Sequence, residues 1–362
     1  MPFQLNKHTP IHQQIAALDK SVTSLEASWG ILENNSTNVI VEAFSIIPSS
    51  VVLLDLSNNS LGKKNAFHLK RIFSAIPSSV RSLSLFKNSL GNLSADDLAE
   101  VLQSIPTTVK KIKLNGNGLG NKTGNELAII LGAIPASITT LDLNGNVFGN
   151  RNGAELVLAF ATTPRSVEAL CLSFNDLDKI NVADLALALA AIPPSVKSLD
   201  LSSNSLGKLS TDDFAKVLNA MPVMVKRIDL GINYFKPAAI QTLKEFILNN
   251  TSITEINLSS VPENDLKIIQ QCCLRNRLLQ QHPRWKFFIK DYLATSNSYI
   301  PPNLPIPVPP LEDTATAFLF FNNKKLPAID RQQLAIPEEI INSLRILEEI
   351  ETQLSLRRPE HA

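Results

Sequence analysis

An aliphatic residue recurs along this chain at a fixed interval. Val22, Val51, Val80, Val109, Ile138, Val167, Val196 and Val225 stand 29 residues apart, and Ile253 follows 28 residues later. Prolines keep the same step at Pro48, Pro77, Pro106, Pro135, Pro164, Pro193 and Pro222. Self-similarity with a period of about 20–50 residues marks a stacked-repeat architecture and constrains the fold more than any composition value.

Within each unit the pattern is aliphatic-x-x-Leu-x-Leu-x-x-Asn-x-Leu-Gly. Val51, Leu54, Leu56, Asn59, Leu61 and Gly62 match Val80, Leu83, Leu85, Asn88, Leu90 and Gly91. The same frame holds Leu141, Leu143, Asn146, Phe148 and Leu199, Leu201, Asn204, Leu206. Alternation across Leu-x-Leu predicts a short strand with leucines inward. The residues before each proline have helical spacing, as in Leu98, Val101, Leu102 and Ile105. Ser94 and Ser210 stand three residues before Asp97 and Asp213, an N-cap arrangement with acids in the first turn. Proline then ends the helix, having no N–H and restricting the residue before it. One strand and one helix cannot bury an apolar face alone, but stacked units can.

The asparagine at the strand exit (Asn88 in VRSLSLFKNSLG, Asn117 in VKKIKLNGNGLG) follows from this geometry. A sharp turn there leaves backbone donors and acceptors facing the core. An amide supplies both complements, so asparagines stacked in register can join one unit to the next.

On these residues the chain resembles the leucine-rich-repeat proteins, in particular the ribonuclease-inhibitor-like subclass with a full helix per unit. The resemblance covers residues 22–262. Ala27 and Gly30 stand where Leu and Asn are expected, as in a terminal repeat; Asp178 and Lys236 replace the glycine of their units, and Val261 replaces the last asparagine. The implied fold is an α/β solenoid, a horseshoe with parallel strands on the concave face and helices on the convex face. Strands spaced about 4.8 Å apart against helices about 10 Å apart force that curvature. The expected organisation is an N-terminal capping segment over 1–21, the solenoid over 22–262, a helical cap over 263–299, a proline-rich linker over 300–311 and an extension over 312–362 with an amphipathic helix.

An arc of this kind offers a long surface rather than a deep pocket, which suits a macromolecular partner. The residues between inward leucines form two columns. One runs Glu26, Asp55, Ser84, Lys113, Asp142, Cys171, Asp200, Asp229, Asn257; the other runs Ser24, Leu53, Ser82, Lys111, Thr140, Ala169, Ser198, Arg227, Glu255. Arg81, Lys87, Lys110, Lys111 and Lys113 make a basic patch flanked by Asp55 and Asp142. Phe86, Phe174, Ile232 and Tyr234 place apolar groups just after the strands. The candidate protein-binding residues are therefore Arg81, Phe86, Lys87, Lys111, Lys113, Phe174, Asp200, Asp229 and Tyr234, aromatics beside charges being the usual make-up of an interaction hot spot. The competing account of the same residues is solvated lysines, with aromatics folded back on the turns.

Lys plus Arg is 34 and Asp plus Glu is 33, so global charge gives no reason to expect nucleic acid or an acidic membrane. No apolar run is long enough to span a bilayer, and MPFQLNKHTPIHQQ lacks the pattern of a secretory signal. Cys171, Cys272 and Cys273 are too few for a disulfide framework, so a reducing, cytoplasmic setting is expected. His8 and His12 have no third ligand beside them, and GNGLGN (Gly116–Asn121) lacks the spacing and lysine of a phosphate loop. No metal, cofactor or catalytic group is expected, and the protein reads as a non-enzyme. The Cys-x-Asp signature of bacterial leucine-rich-repeat ubiquitin ligases is absent, since Leu-Ser follows Cys171 and Leu-Arg follows Cys273.

Beyond the repeats, DLKIIQQCCLRNRLLQ and RWKFFIKDYL read as helices, the first covering the open end of the last repeat with Cys272 and Cys273 as packed thiols. IPPNLPIPVPPL (300–311) is an extended spacer or a ligand for a proline-reading domain. AFLFF (Ala317–Phe321) is expected to dock on the main body, and Glu338–Leu356 reads as an amphipathic helix.

The IP-S/T-S-V…LDLSNNSLG style of repeat also resembles effectors that intracellular bacteria inject into host cells. Glu348, Glu349 and Glu351 are similar to the glutamate-rich block of type IV secretion substrates, and equally to an ordinary solvated helix face. That resemblance implies a host protein as partner. The alternative is an enzyme, or a recruiter of one such as a ubiquitin-pathway protein, acting through 312–362. A nuclease inhibitor, by analogy with the subclass, fits less well without an acidic surface and many cysteines.

Overall fold

The computed structural model describes residues 2–259 and 261–281. RWKFFIKDYL, the proline-rich segment, Ala317–Phe321 and the helix expected over Glu338–Leu356 lie outside them. The chain divides into two units, residues 1–246 with 255–261, and residues 247–254 with 262 onward.

The first unit holds an open sheet of ten parallel strands in sequence order. They are β1 (Pro2–Gln4), β2 (Ser24–Glu26), β3 (Leu53–Asp55), β4 (Ser82–Ser84), β5 (Lys111–Lys113), β6 (Thr140–Asp142), β7 (Ala169–Cys171), β8 (Ser198–Asp200), β9 (Arg227–Asp229) and β10 (Glu255–Asn257). From β2 to β9 each strand pairs at the repeat register, so Leu54 sits beside Leu83 and Lys113 beside Asp142. The sheet takes in a strand from the segment expected only to cap it: Pro2 pairs with Ser24 and Gln4 with Glu26.

A helix follows each strand. Short α1 (Ile11–Ala16) precedes α2 (Thr37–Ser45), α3 (Ala66–Ser74), α4 (Ala95–Gln103), α5 (Gly124–Gly132), α6 (Gly153–Ala161), α7 (Val182–Ala190), α8 (Thr211–Asn219) and α9 (Pro237–Asn249). Ser94 and Ser210 accept from the N–H groups of Asp97 and Asp213 at 3.1 and 3.2 Å, as expected of N-caps, and Thr123 with Glu126 forms a full capping box. Between sheet and helices lie fully buried columns. One runs Leu25, Leu54, Leu83, Ile112, Leu141, Leu170, Leu199, Ile228, and the facing helical column runs Phe44, Phe73, Leu102, Leu131, Phe160, Leu189, Leu218. Each such side chain stabilises the stack by about 1.5–3 kcal/mol.

The asparagines form the expected ladder. The backbone N–H groups of Asn59, Asn88, Asn117, Asn146, Asn175 and Asn204 each donate to the amide oxygen of the next asparagine at 2.8–3.0 Å. Each amide nitrogen donates back to a carbonyl of the preceding unit, as Asn146 does to Leu114 at 3.1 Å. All of these asparagines are buried. The ladder opens at Asn59, which accepts from Leu32 and donates to Ala27.

The glycine after each ladder step is required by close approach of the next unit. A Cβ on Gly149 would lie 2.0 Å from the Asp176 carbonyl oxygen. Where Asp178 replaces this glycine, its N–H to the Asn204 carbonyl stretches to 3.3 Å, against 2.7 Å at Gly149. Lys208 then pairs with the Asp178 carboxylate at 2.8 Å. At Lys236 the change is larger: the short 3-10 turn seen in the earlier units is replaced by direct entry into α9 at Pro237.

In the second unit α10 (Glu263–Gln281) is joined to residues 247–254 by Asn276. Its buried amide nitrogen donates to the carbonyls of Ile247, Asn250 and Ile253 at 3.1, 3.0 and 2.8 Å. Arg275 lies beside it and donates to Asn276 and to the Leu248 carbonyl, and burial lowers its pKa. Cys272 and Cys273 are buried thiols, as expected of packed residues.

Candidate functional site

The outward columns of the sheet bring the candidate residues into two groups. Arg81, Phe86, Lys87, Lys111 and Lys113 lie around β4 and β5, where Ser82 pairs with Lys111 and Ser84 with Lys113. Phe174, Asp200, Asp229 and Tyr234 lie around β7 to β9. The β6 unit stands between them.

In the first group Lys87, Lys111 and Arg81 are exposed and Lys113 is half-buried. None of these cations, nor Lys110, meets a carboxylate among the described residues, whereas Lys63, Lys70, Lys122, Lys179, Lys197, Lys208 and Lys216 all do. Arg81 donates to the carbonyls of Ser78 and Val80, and Lys110 to that of Thr107. Phe86 lies half-buried against the turn of the next unit. The Lys87 ammonium sits 5.0 Å from its ring centroid, and a Cβ on Gly116 (φ +66°) would come within 3.1 Å of both side chains. This contact lays Phe86 on the turn of the next unit and holds Lys87 above the ring.

The acids have local work. Asp55, Asp142, Asp200 and Asp229 each turn one oxygen to the backbone N–H two residues on, at 2.8, 3.0, 2.9 and 2.8 Å. The second oxygen of Asp200 accepts from the Cys171 thiol at 3.0 Å, and that of Asp229 from Asn257 at 2.8 Å. Burial, helped by the Asp200 charge, pushes the Cys171 thiol well above the usual thiol range, although Ser173 pulls the other way. The thiol is therefore a protonated hydrogen-bond donor and a poor nucleophile. Iodoacetamide at pH 8 is expected to leave Cys171 unmodified in the folded protein while alkylating it in urea; rapid native modification, mapped by peptide mass, would contradict this.

The turns after the strands hold two left-handed positions per unit, one on each side of the ladder asparagine. The first carries Trp29, Asn58, Lys87, Gly116, Gly145, Phe174, Ser203 and Ile232, and the second includes Val147 and Tyr234. Left-handed backbone is uncommon for any L-residue and an outlier for β-branched ones. Val147 (φ +62°) and Ile232 (φ +54°) are β-branched, and both are exposed. Phe174 is 57% exposed and Tyr234 70%, so neither is folded into the core. Ile232→Asn, matching Asn58 in the same column, is expected to raise stability by about 1 kcal/mol through relief of this strain. Urea titration reads the change, and a lowered midpoint would count against strain at this turn.

Sequence reading passed over Trp29, 63% exposed, and did not place Leu53, 45% exposed on the strand face, among the binding residues. Both stand in the repeat frame, Trp29 in the column of Lys87 and Phe174, Leu53 beside Ser82. Among the described residues no cluster of His, Cys, Asp and Glu could hold a metal, and no helix is long and apolar enough to cross a membrane. A hollow between α2 and α3, lined by Val41, Phe67, Lys70 and Arg71, is open to solvent.

Parallel strands in sequence order, a helix per unit and a buried asparagine ladder define a leucine-rich-repeat solenoid. The chain belongs to the leucine-rich-repeat proteins. The leucine-rich repeat-containing protein LegL7 from Legionella pneumophila is 33% identical to it, with a TM-score of 0.69 over 76% of this chain and 88% of that one. The tropomodulin C-terminal domain of Caenorhabditis elegans aligns at 12% identity and a TM-score of 0.32, over 54% of this chain and 99% of that one. No protein-family profile matches the chain, and neither does any curated protein.

Proposed function

We propose that this chain is a non-catalytic scaffold that binds a partner protein through the outward face of its strands. We further infer that it is an effector which an intracellular bacterium delivers into a eukaryotic host, so that the partner is a host protein. The observation that carries the binding reading is the group of unpaired cations, Lys87, Lys111 and Lys113, on adjoining units beside Phe86. Charges left without partners on a rigid sheet are pre-organised for a complementary surface, which favours fast and specific association. The likeness to a Legionella pneumophila repeat protein supports the bacterial setting, and the glutamates at 348, 349 and 351 support export by a type IV route.

Affinity capture from a eukaryotic lysate tests the reading with the full chain, Phe86→Ala, Lys111→Glu and Lys113→Glu. Each lysine reversal is expected to reduce capture of the partner about tenfold, the equivalent of about 1.4 kcal/mol. Unchanged capture would remove the β4–β5 group from the site. Loss of all capture on deleting 312–362 would transfer binding to the tail.

A further inference from the structure

We infer that the β3–β5 face recognises an extended acidic segment of a partner protein, in which an apolar side chain stands about three residues from a pair of carboxylates. This rests on the protein-binding reading above and names the chemistry of what is bound.

The charge comes first. Arg81 and Lys110 occupy equivalent positions in adjacent units, where the units further on carry Glu168 and Lys197 paired at 3.0 Å. The sequence thus neutralises this row at one place and leaves it doubly positive at another. Lys111 and Lys113 add two more cations on β5, and Lys87 a fifth over Phe86. The flanking acids Asp55 and Asp142 each turn an oxygen to their own backbone, and neither pairs with these lysines. A partner that complements the patch is anionic.

The arrangement of donors selects the kind of anion. Lys111 and Lys113 are two residues apart on one strand and face the same side, so their ammonium groups rise from points about 7 Å apart. They meet separate charges more readily than one compact dianion. Arg81, the only planar fork of the group, commits Nη1 to the Ser78 and Val80 carbonyls, and that anchor holds it in the row of Lys110 rather than over Lys111 and Lys113. Distributed carboxylates of Asp or Glu fit the patch better than a phosphate group.

The apolar element sets the spacing. Leu53 is 45% exposed and stands in the row Leu53, Ser82, Lys111. Two strand spacings, about 9.6 Å, separate it from Lys111, with the small Ser82 leaving the path between them low. A chain crossing the strands in the extended polyproline II conformation advances about 3.1 Å per residue with three residues per turn, so side chains three residues apart share a face and lie about 9.3 Å apart. An apolar side chain seated on Leu53 and Val52 therefore places a residue three positions away along the segment at Lys111.

The test uses the full chain and fluorescein-labelled ten-residue peptides in a Ser/Gly background, read by fluorescence anisotropy at low and moderate salt. The probe carries Leu with a Glu pair three and four residues away, made in both chain orders. Its comparators place Leu next to the Glu pair, replace both Glu by Ser, or replace them by one phosphoserine; a ten-nucleotide oligouridine is a further probe. The spaced acidic probe is expected to bind at least threefold more tightly than the comparator with adjacent Leu and Glu, and more tightly than the phosphoserine peptide or the oligouridine. Lys111→Gln/Lys113→Gln should weaken it about tenfold and Leu53→Ser about threefold, with circular dichroism unchanged. Equal binding of both spacings, preference for phosphoserine or oligouridine, or no binding at millimolar peptide would each overturn the proposal. If the peptides fail while lysate capture still depends on Lys111 and Lys113, the chemistry assigned here is wrong and the scaffold reading stands. If capture is also indifferent to those lysines, the scaffold site itself is wrong.

Discussion

Asn146→Ala is expected to lower the unfolding free energy by about 3 kcal/mol. The substitution leaves two buried N–H groups without an acceptor and takes one of two donors from each of two buried carbonyls. The N–H groups of Asn117 and Leu119 lose their acceptor at 3.0 and 3.2 Å, and the carbonyls of Leu114 and Leu143 lose one donor each, at 3.1 and 3.0 Å, while keeping another in Asn117 and Asn175. An unsatisfied buried group costs about 1–3 kcal/mol, so two orphaned donors together with two weakened carbonyls, less some relaxation or water entry, bring the loss to about 3 kcal/mol. Asn146→Asp separates the two halves of the amide. It keeps both acceptors but sets a carboxylate against two carbonyls, so its loss should be similar near neutral pH. That loss should shrink as the pH falls toward about 4, because burial against two carbonyls favours the protonated carboxyl, which can donate. Urea unfolding followed by circular dichroism measures both variants. A loss under about 1 kcal/mol for the alanine variant would mean that neighbouring units are coupled by apolar packing alone.

Gly149→Ala should cost about 2 kcal/mol, and Gly149→Leu about 3 kcal/mol. The added Cβ would lie 2.0 Å from the Asp176 oxygen and 2.6 Å from its carbonyl carbon, both backbone atoms that no rotamer change can move aside. The adjacent unit shows what accommodation looks like, since with Asp178 in this place the bond to Asn204 lengthens to 3.3 Å. There Lys208 offsets part of the loss by pairing with the new carboxylate, which alanine cannot offer. Hydrogen exchange at the amide of residue 149, which donates to Asn175, should rise with the drop in unfolding midpoint. An unchanged midpoint would show that the turn has slack.

The repeat was legible in the sequence because one geometry is imposed many times. Leu-x-Leu, the asparagine and the glycine each answer a steric or hydrogen-bonding demand that recurs at every step. The grouping of Arg81, Lys87, Lys111 and Lys113 was legible for the same reason, as register turns sequence spacing into spatial adjacency. Strand β1 was not, because it pairs 22 residues from its neighbour and carries no Leu-x-Leu. The left-handed turn positions were hidden too. Lys87, Phe174 and Ile232 adopt a conformation that their own preferences oppose, because stacking dictates it. Phe86 lying on Gly116 is a rotamer choice, on which a periodic pattern is silent. The second duty of Asp200 and Asp229, holding their own turns, was hidden behind their place in an outward column.

The asparagine interactions also have a direction. Asn88 receives the N–H groups of Asn59 and Leu61 and gives its amide protons to Leu56, so each unit is completed by the one that follows it. A chain leaving the ribosome N-terminus first therefore finishes each bend only when the following 29 residues have emerged. Shortening it from the carboxyl side should orphan main-chain N–H groups at every new end. Asn233, with valine at 261 where an asparagine would come next, is where that dependence stops.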